Sequence, residues 1–382
     1  MSNRIFILGD RAVYAAFIII VLALPLLVDD VFWLNRIAKY LVFGMLGLAI
    51  ALSWGYAGIL NLGQGLFFGL GAYMIAMSLK LQSYTSLQQG SDKPIPDFML
   101  WNAEPGAPTD LCCITPGSWL WIPFQAQWFG MAMAIVVPVV FALIIGSTIF
   151  RLRVSGVYVA IITLALVLLA RLLFIDLQPV TNGFNGLTDL GWLTIAGIEF
   201  DPFMVATYYI IAVSVCVVLL FSRWLISTRA GLILQSTRDD PNRSRYLGYD
   251  VASYQVFFFT VSAGIAGFAG MLFVIVSEFA TPTYFDIAFS ISMVVWAAVG
   301  GRSSLIGAAL GAILINTIEA SVSESEMFQQ AWRLIIGIVF VLVVLFMPRG
   351  LAGLARDALA RVVALSQRSG GKDSQSSHTA AE

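Results

Sequence analysis

Residues 236–248, Ser236-Thr237-Arg238-Asp239-Asp240-Pro241-Asn242-Arg243-Ser244-Arg245-Tyr246-Leu247-Gly248, hold the densest polar chemistry in a chain otherwise short of it. Asp240 stands where a carboxylate accepts hydrogen bonds from the free N–H groups of a starting helix. Pro241 suits the first helical position, where a missing N–H costs nothing. Gly248 suits the left-handed residue that follows a last turn. The spacing predicts a small capped helix over 236–248, carrying Arg238, Asp239, Asp240, Arg243, Arg245, Leu247 and Gly248. Such a helix can receive a rigid-body push from a partner protein; the plainer reading is a charged connecting loop. Two amides, Asn61 and Gln64, lie beside an apolar run, and a polar amide at membrane depth needs a partner, either another helix or a solute. Asn182 and Asn185, each followed by Gly, and Thr188 read either as turn chemistry or as part of the mouth of a path.

Much other chemistry is excluded or unsupported. The sole histidine, His378, lies in the polar tail, which argues against a histidine metal site or a catalytic triad. Of three cysteines, Cys216 sits in an apolar run and Cys112 and Cys113 are neighbours, so no disulfide framework follows, and the pair reads as a vicinal bridge or as free thiols. Gly371-Lys372 is followed by Asp373, so the chain has no phosphate-binding loop of the Walker type. No cofactor is expected, and a net charge of −1 gives no pull toward nucleic acid.

The elements that must position these residues are membrane helices. The chain has 382 residues, 59% hydrophobic and 11% charged, whereas a soluble domain carries about a quarter charged. A span needs roughly 20 apolar residues. Candidates fall near 12–28, 37–54, 60–81, 129–150, 154–175, 203–221, 254–276, 287–299, 305–318 and 332–347, ten in all. The pair 287–299 and 305–318 is short; a re-entrant hairpin would bury Arg302, so two tilted spans with Arg302 at the surface are expected. The first segment reads as a retained helix, being long for a signal peptide and lacking a cleavage pattern.

Ten spans put both termini on one side, with 15 of the 21 basic residues, while 15 of the 22 acidic residues fall opposite. That bias makes the terminal side cytoplasmic. Residues 1–350 then form a transmembrane domain with outer loops 82–128 and 176–202 and an inner loop 222–253. Residues 351–366 read as an amphipathic helix on the inner membrane lipid or a partner, and 367–382 as a disordered tail. The middles of the spans lack ionisable residues, which ion-driven carriers usually need. Arg171 either snorkels or pairs with Asp176, and Arg333 either snorkels or pairs near Glu326; neither is assigned to transport. The glycine faces Gly65/Gly69 and Gly307/Gly311 read as close helix packing.

The inner loop resembles the coupling loop of bacterial ABC-transporter permeases of the branched-chain amino-acid type. Other stretches agree in order: Asn61-Leu62-Gly63-Gln64-Gly65 to Gly69-Leu70-Gly71-Ala72-Tyr73, Arg153-Val154-Ser155-Gly156-Val157-Tyr158 to Thr163, Asn185-Gly186-Leu187-Thr188, Trp296 to Gly300-Gly301-Arg302, and Met347-Pro348-Arg349-Gly350-Leu351. The resemblance covers residues 30–355, and Pro241 departs from the acidic residue common there. Pro96-Asp97-Phe98-Met99 with Trp101-Asn102, and Arg238-Asp239-Asp240 through Arg245-Tyr246-Leu247-Gly248-Tyr249, resemble the larger permease subunit of urea transporters. The resemblance implies an all-α importer permease in the bacterial inner membrane, working with a second homologous permease, two ATP-binding cassette ATPases and a periplasmic solute-binding protein. ATP hydrolysis would lie on the partners, so the chain itself is not expected to be an enzyme. Urea, small and uncharged, fits charge-free spans better than a zwitterion does. The expectation is therefore urea import, with branched-chain amino acids or related amides as the alternative, and a stand-alone facilitator channel as the alternative of another class.

Overall fold

The computed structural model describes residues 2–84, 96, 98–99, 119–154, 156–195, 197–323, 337–338, 341 and 350–353, with the side chains of 2–10 left aside. Its elements are α1 (Ser2–Ala23), α2 (Val31–Ile50), α3 (Gln64–Ser83), α4 (Gln127–Arg151), α5 (Val157–Asp176), α6 (Gln178–Thr181), the strands β1 (Leu193–Ile195) and β2 (Ile198–Phe200), α7 (Val205–Ser227), α8 (Arg229–Asp239), α9 (Pro241–Tyr246), α10 (Val251–Ser277), α11 (Ile287–Gly300) and α12 (Leu305–Ser323). It is an all-α polytopic membrane protein whose only strands, among the described residues, form a small antiparallel ribbon between α6 and α7. Seven described helices are long and apolar enough to cross a bilayer, and two shorter apolar ones, Arg11–Leu26 and Ile287–Gly300, accompany them. Most of the expected tenth span at 332–347, Arg333 and Glu326, the helix at 351–366 beyond 353, the tail and most of the loop 82–128 with Cys112 and Cys113 lie outside the described residues.

Helices α2, α3 and α10 form the centre, and small residues let their backbones approach closely. A side chain at Gly71 would meet the backbone of Gly267, and one at Gly270 the backbone of Phe68. The same holds of Gly307 and Gly311 against α11, so that glycine face is packing, as is Gly69 beneath the ring of Phe285. Around this centre α4 and α5 keep wide apolar faces outward, with Ile144, Ile161, Leu168 and Leu172 exposed, as lipid-facing helices do.

The two ends differ in charge. At one end Arg238, Arg302 and Gly55 meet: Arg238 Nη1 donates to Gly55 O at 2.7 Å, and Gly55 abuts the Arg302 backbone. Arg302 is exposed, 5.1 Å over the Trp54 ring. At the other end Lys80 Nζ donates to Thr188 O at 2.9 Å, and Asn35 Nδ2 donates to Pro202 O at 2.9 Å. The basic-residue bias assigns the first end to the cytoplasm.

Two expectations are corrected. The third span does not begin as a helix at 60, because residues 57–63 are non-helical and α3 starts at Gln64. The cause is local: Gly58 takes φ +71°, and the Asn61 side chain accepts from Gly63 N at 2.8 Å, offering the backbone an alternative to the helix ladder. The inner helix is not one element over 236–248, since 236–239 finish α8 and Asp240 breaks the chain before α9. Helix α11 has 14 residues, about 21 Å at 1.5 Å per residue, short as expected of that segment.

Candidate functional site

The elbow at the basic end is built from local bonds. Thr228 caps α8 by accepting from Gly231 N. Asp240 has extended backbone (φ −152°, ψ 99°), and its carboxylate accepts from Asn242 N and Arg243 N at 3.0 Å each. Pro241 takes the first helical position, and Gly248 carries φ +88° two residues past the end of α9. This elbow therefore follows from the cap, the proline and the glycine. Its surface is bare: Tyr246 is 92% and Leu247 70% exposed. Arg243 and Arg245 are exposed too, and Arg245 Nη1 donates to Asn242 Oδ1 at 3.2 Å. Arg238 points the other way. Its Nε and Nη2 hold Asp239 Oδ1 at 3.0 and 2.9 Å, its Nη1 holds the Gly55 carbonyl, and its aliphatic stem lies where a side chain at Gly58 would be. Behind the elbow, Asp250 sits at the N-terminus of α10. The Ser253 hydroxyl above all, with the backbone N–H groups of Ser253 and Ala252 and the Arg151 charge, holds its carboxyl below the usual carboxylate range against the opposing effect of desolvation.

The segment that Arg238 grips leads into the membrane. After a π-helical turn over Ala51–Tyr56 the chain doubles back, with Ile59 N donating to Ser53 O at 2.8 Å. Gln64 Nε2 then donates to Ser262 O at 2.9 Å and Ser262 Oγ at 3.1 Å, and Ser262 Oγ donates to Ala49 O at 2.7 Å. Ser262 lies 11 residues into α10, so this cluster stands about 16 Å above the cytoplasmic end, near mid-bilayer. Asn61 Nδ2 donates to Gln64 Oε1 at 2.6 Å, and Thr163 Oγ1 of α5 accepts from Leu62 N at 3.2 Å. Asn61, Gln64, Thr163 and Ser262 are all buried. Broken backbone at this depth is tolerated only inside protein or along a cavity, and here the side chains of Asn61, Gln64, Thr163 and Ser262 all find protein partners. In this conformation the cluster is a closed clasp joining α2, α3, α5 and α10.

The outer residues do not join that clasp. Asn182 adopts φ +62° and donates from Nδ2 to Gly186 O at 2.7 Å, so it shapes a turn. Asn185 is exposed at the end of the same turn. Leu187 pairs with Ala280 as an isolated bridge. Thr188 borders an open cleft of about 680 Å³ with Asp189, Trp192, Glu278 and Phe279. There Trp192 Nε1 donates to Glu278 Oε1 at 2.8 Å. Arg171 pairs not with Asp176 but with Asp286, Nε to Oδ1 at 2.7 Å. The direct signal was Arg171 itself, inside a span; its partner 115 residues on is not readable from spacing. Ser262 and Thr163 were hidden because hydroxyls are common in membrane helices and carry no pattern. Among the described residues no group of histidine, cysteine, aspartate and glutamate could hold a metal.

Comparison with known proteins follows from this architecture. The sequence profile of the family described as branched-chain amino acid transport system / permease component matches residues 32–344. The chain is similar to the high-affinity branched-chain amino acid transport system permease protein LivM of Salmonella typhimurium, 26% identical over 341 residues, 84% of this chain and 69% of that protein. It is likewise similar to the LivM protein of Escherichia coli, 27% identical over 341 residues with the same shares. A probable branched-chain amino acid transport permease protein LivH of Methanocaldococcus jannaschii is 25% identical over 179 residues, 45% of this chain and 56% of that one. No solved structure matches.

Proposed function

The chain belongs to the family of branched-chain amino acid transport permease components, and from that premise we propose that it is the membrane-spanning subunit of an ATP-driven importer. Its place is the inner membrane, as a multi-pass protein. Partner ATP-binding subunits hydrolyse ATP, a second permease completes the path, and a periplasmic solute-binding protein delivers the solute to the outer cleft. The observation that carries this reading is the bare elbow of α8 and α9. Tyr246 and Leu247 stand clear of the bundle at the basic end, while Arg238 ties the same elbow to Gly55 and so to the clasp at Asn61 and Gln64. Arg243, Arg245, Leu247 and Gly248 meet the ATPase, Asp239 and Asp240 keep the elbow's shape, and Arg238 conveys its movement inward. Asn61 and Gln64 line the path once the clasp opens, and Thr188 borders its outer mouth with Asn182 and Asn185 shaping the turn beneath.

The first solute class is a branched-chain amino acid, by the relatives' names. Urea is the second reading, supported by the uncharged amide clasp, whose donors and acceptors match a planar amide. Membranes holding the complete complex, with and without this chain, are tested for uptake of labelled leucine and labelled urea. Uptake of leucine that needs the chain supports the first reading, uptake of urea that needs it the second, and uptake of both solutes unaffected by removing the chain sinks the assignment.

A further inference from the structure

We infer that Arg171 and Asp286 form a solute-binding station in the outer third of the membrane, taking a small head group that offers both an acceptor oxygen and N–H donors. The inference rests on the transport reading above for there being a solute to take. Two separate helix lengths set the depth. Arg171 is the fifteenth residue of α5, whose first residue, Val157, follows the basic end, so it stands about 21 Å along the helix. Asp286 directly precedes the 14 residues of α11, whose far end at Arg302 meets Gly55 at that same basic end, and again the rise gives about 21 Å. In a hydrocarbon core of about 30 Å both charges lie inside the membrane.

The pair is open on one side. Its side chains are 39% and 32% exposed, as are Ile287 and Ile291 on the α11 side. Ionised residues at such depth face a bundle interior or a water-filled path rather than lipid. The pairing is also incomplete. Arg171 Nε is 2.7 Å from Asp286 Oδ1, yet that buried oxygen accepts no well-aimed hydrogen bond among the described residues. Two further buried hydroxyls, Tyr73 Oη and Ser290 Oγ, also lack partners among them. Both border the α3 face of Gly65, Gly69 and Tyr73, three positions a turn apart, with Ser290 Oγ against Gly65. That face begins next to Gln64 of the clasp. Between the hydroxyls the Phe285 ring lies on Gly69, 4.5 Å from the Phe174 ring centroid. Unmet hydrogen-bonding groups therefore lie on either side of the ion pair in depth, Ser290 toward the clasp and Tyr73 toward the outer end, with one aromatic ring between them.

The chemistry of the pair selects its ligand. A guanidinium donates two parallel N–H bonds to an oxygen acceptor, and a carboxylate accepts from N–H donors. An amino-acid head presents carboxylate to Arg171 and ammonium to Asp286. Urea presents its carbonyl and amide groups to the same two. In either case the charges stay compensated when the pair opens.

The test uses the complete complex in liposomes with labelled leucine and labelled urea. Replacing a buried ion pair by apolar residues of similar volume leaves folding unharmed in many proteins, so Arg171→Met with Asp286→Leu separates a structural pair from a binding one. The station predicts an assembled complex of unreduced thermal stability whose uptake falls about 100-fold, the loss of two charge-assisted hydrogen bonds. Uptake within about twofold of wild type overturns it. Should the double variant not assemble, Arg171→Lys decides: it keeps the charge but not the parallel donors, and the station predicts a loss of about tenfold, with unchanged uptake overturning it. Wild-type uptake of urea but not leucine keeps the station and replaces the amino-acid reading; wild-type uptake of leucine with unaffected variants keeps the reading and removes the station.

Discussion

The elbow at 229–248 and the clasp at 57–64 are both polar breaks in helical runs, yet they are held in opposite ways. At the elbow most bonds are local and its tip is exposed: Asp240 caps the residues two and three ahead, and Tyr246 and Leu247 stand clear of the bundle. At the clasp the bonds span the fold, with Gln64 reaching Ser262 and Leu62 reaching Thr163, and its side chains are buried. The difference teaches where each mutation should register. Elbow changes should spare the fold and disturb coupling, whereas clasp changes should disturb both.

The largest stability effect is expected at the clasp. Gln64→Leu leaves the Asn61 Nδ2 donor without its acceptor, while the Ser262 hydroxyl keeps its bond to Ala49 O; an orphaned buried group costs about 1–3 kcal/mol. Thermal unfolding of the purified protein in detergent should shift down clearly, and an unchanged midpoint would erase the contrast. At the elbow, Asp240→Ala removes a cap worth about 1 kcal/mol locally. The midpoint should stay put while solute-stimulated ATP hydrolysis by the complex falls; normal stimulation would show that the elbow is only a loop. Tyr246→Ala with Leu247→Ser should leave the isolated chain's stability within about 0.5 kcal/mol, as exposed substitutions do, but reduce ATPase co-purification. Retained ATPase would place the docking surface elsewhere. The smallest effect concerns Asp250. Its folded pKa is depressed, mainly by Ser253, so its stabilising contribution is present above the unfolded value and is lost as pH falls through the folded one. Hydrogen exchange in the first turn of α10 should quicken only on acidification below the usual carboxylate range, and Asp250→Asn should remove that pH dependence.

The contrast also explains what could be read from sequence. Asp240, Pro241 and Gly248 announce the elbow because capping is set within a few residues. The apolar runs announce the spans for the same reason, although the helix expected from 60 starts at Gln64 because Gly58 and Asn61 divert the backbone. Partners distant in sequence were not legible. Arg171 sits five residues from Asp176 but reaches Asp286 instead, and Arg238 holds the Gly55 carbonyl, 183 residues away. Asn182 illustrates the opposite case, a residue whose Asn-Gly pair signalled a turn and whose side chain forms one.

The central claim is that this chain provides a path driven by partners' ATP. Its most direct test is uptake of labelled leucine and labelled urea into liposomes holding either this chain alone or the complete complex, with and without ATP. The account predicts uptake only by the complete complex and only with ATP. Flux through this chain alone, independent of ATP, would contradict it and identify a facilitator channel instead.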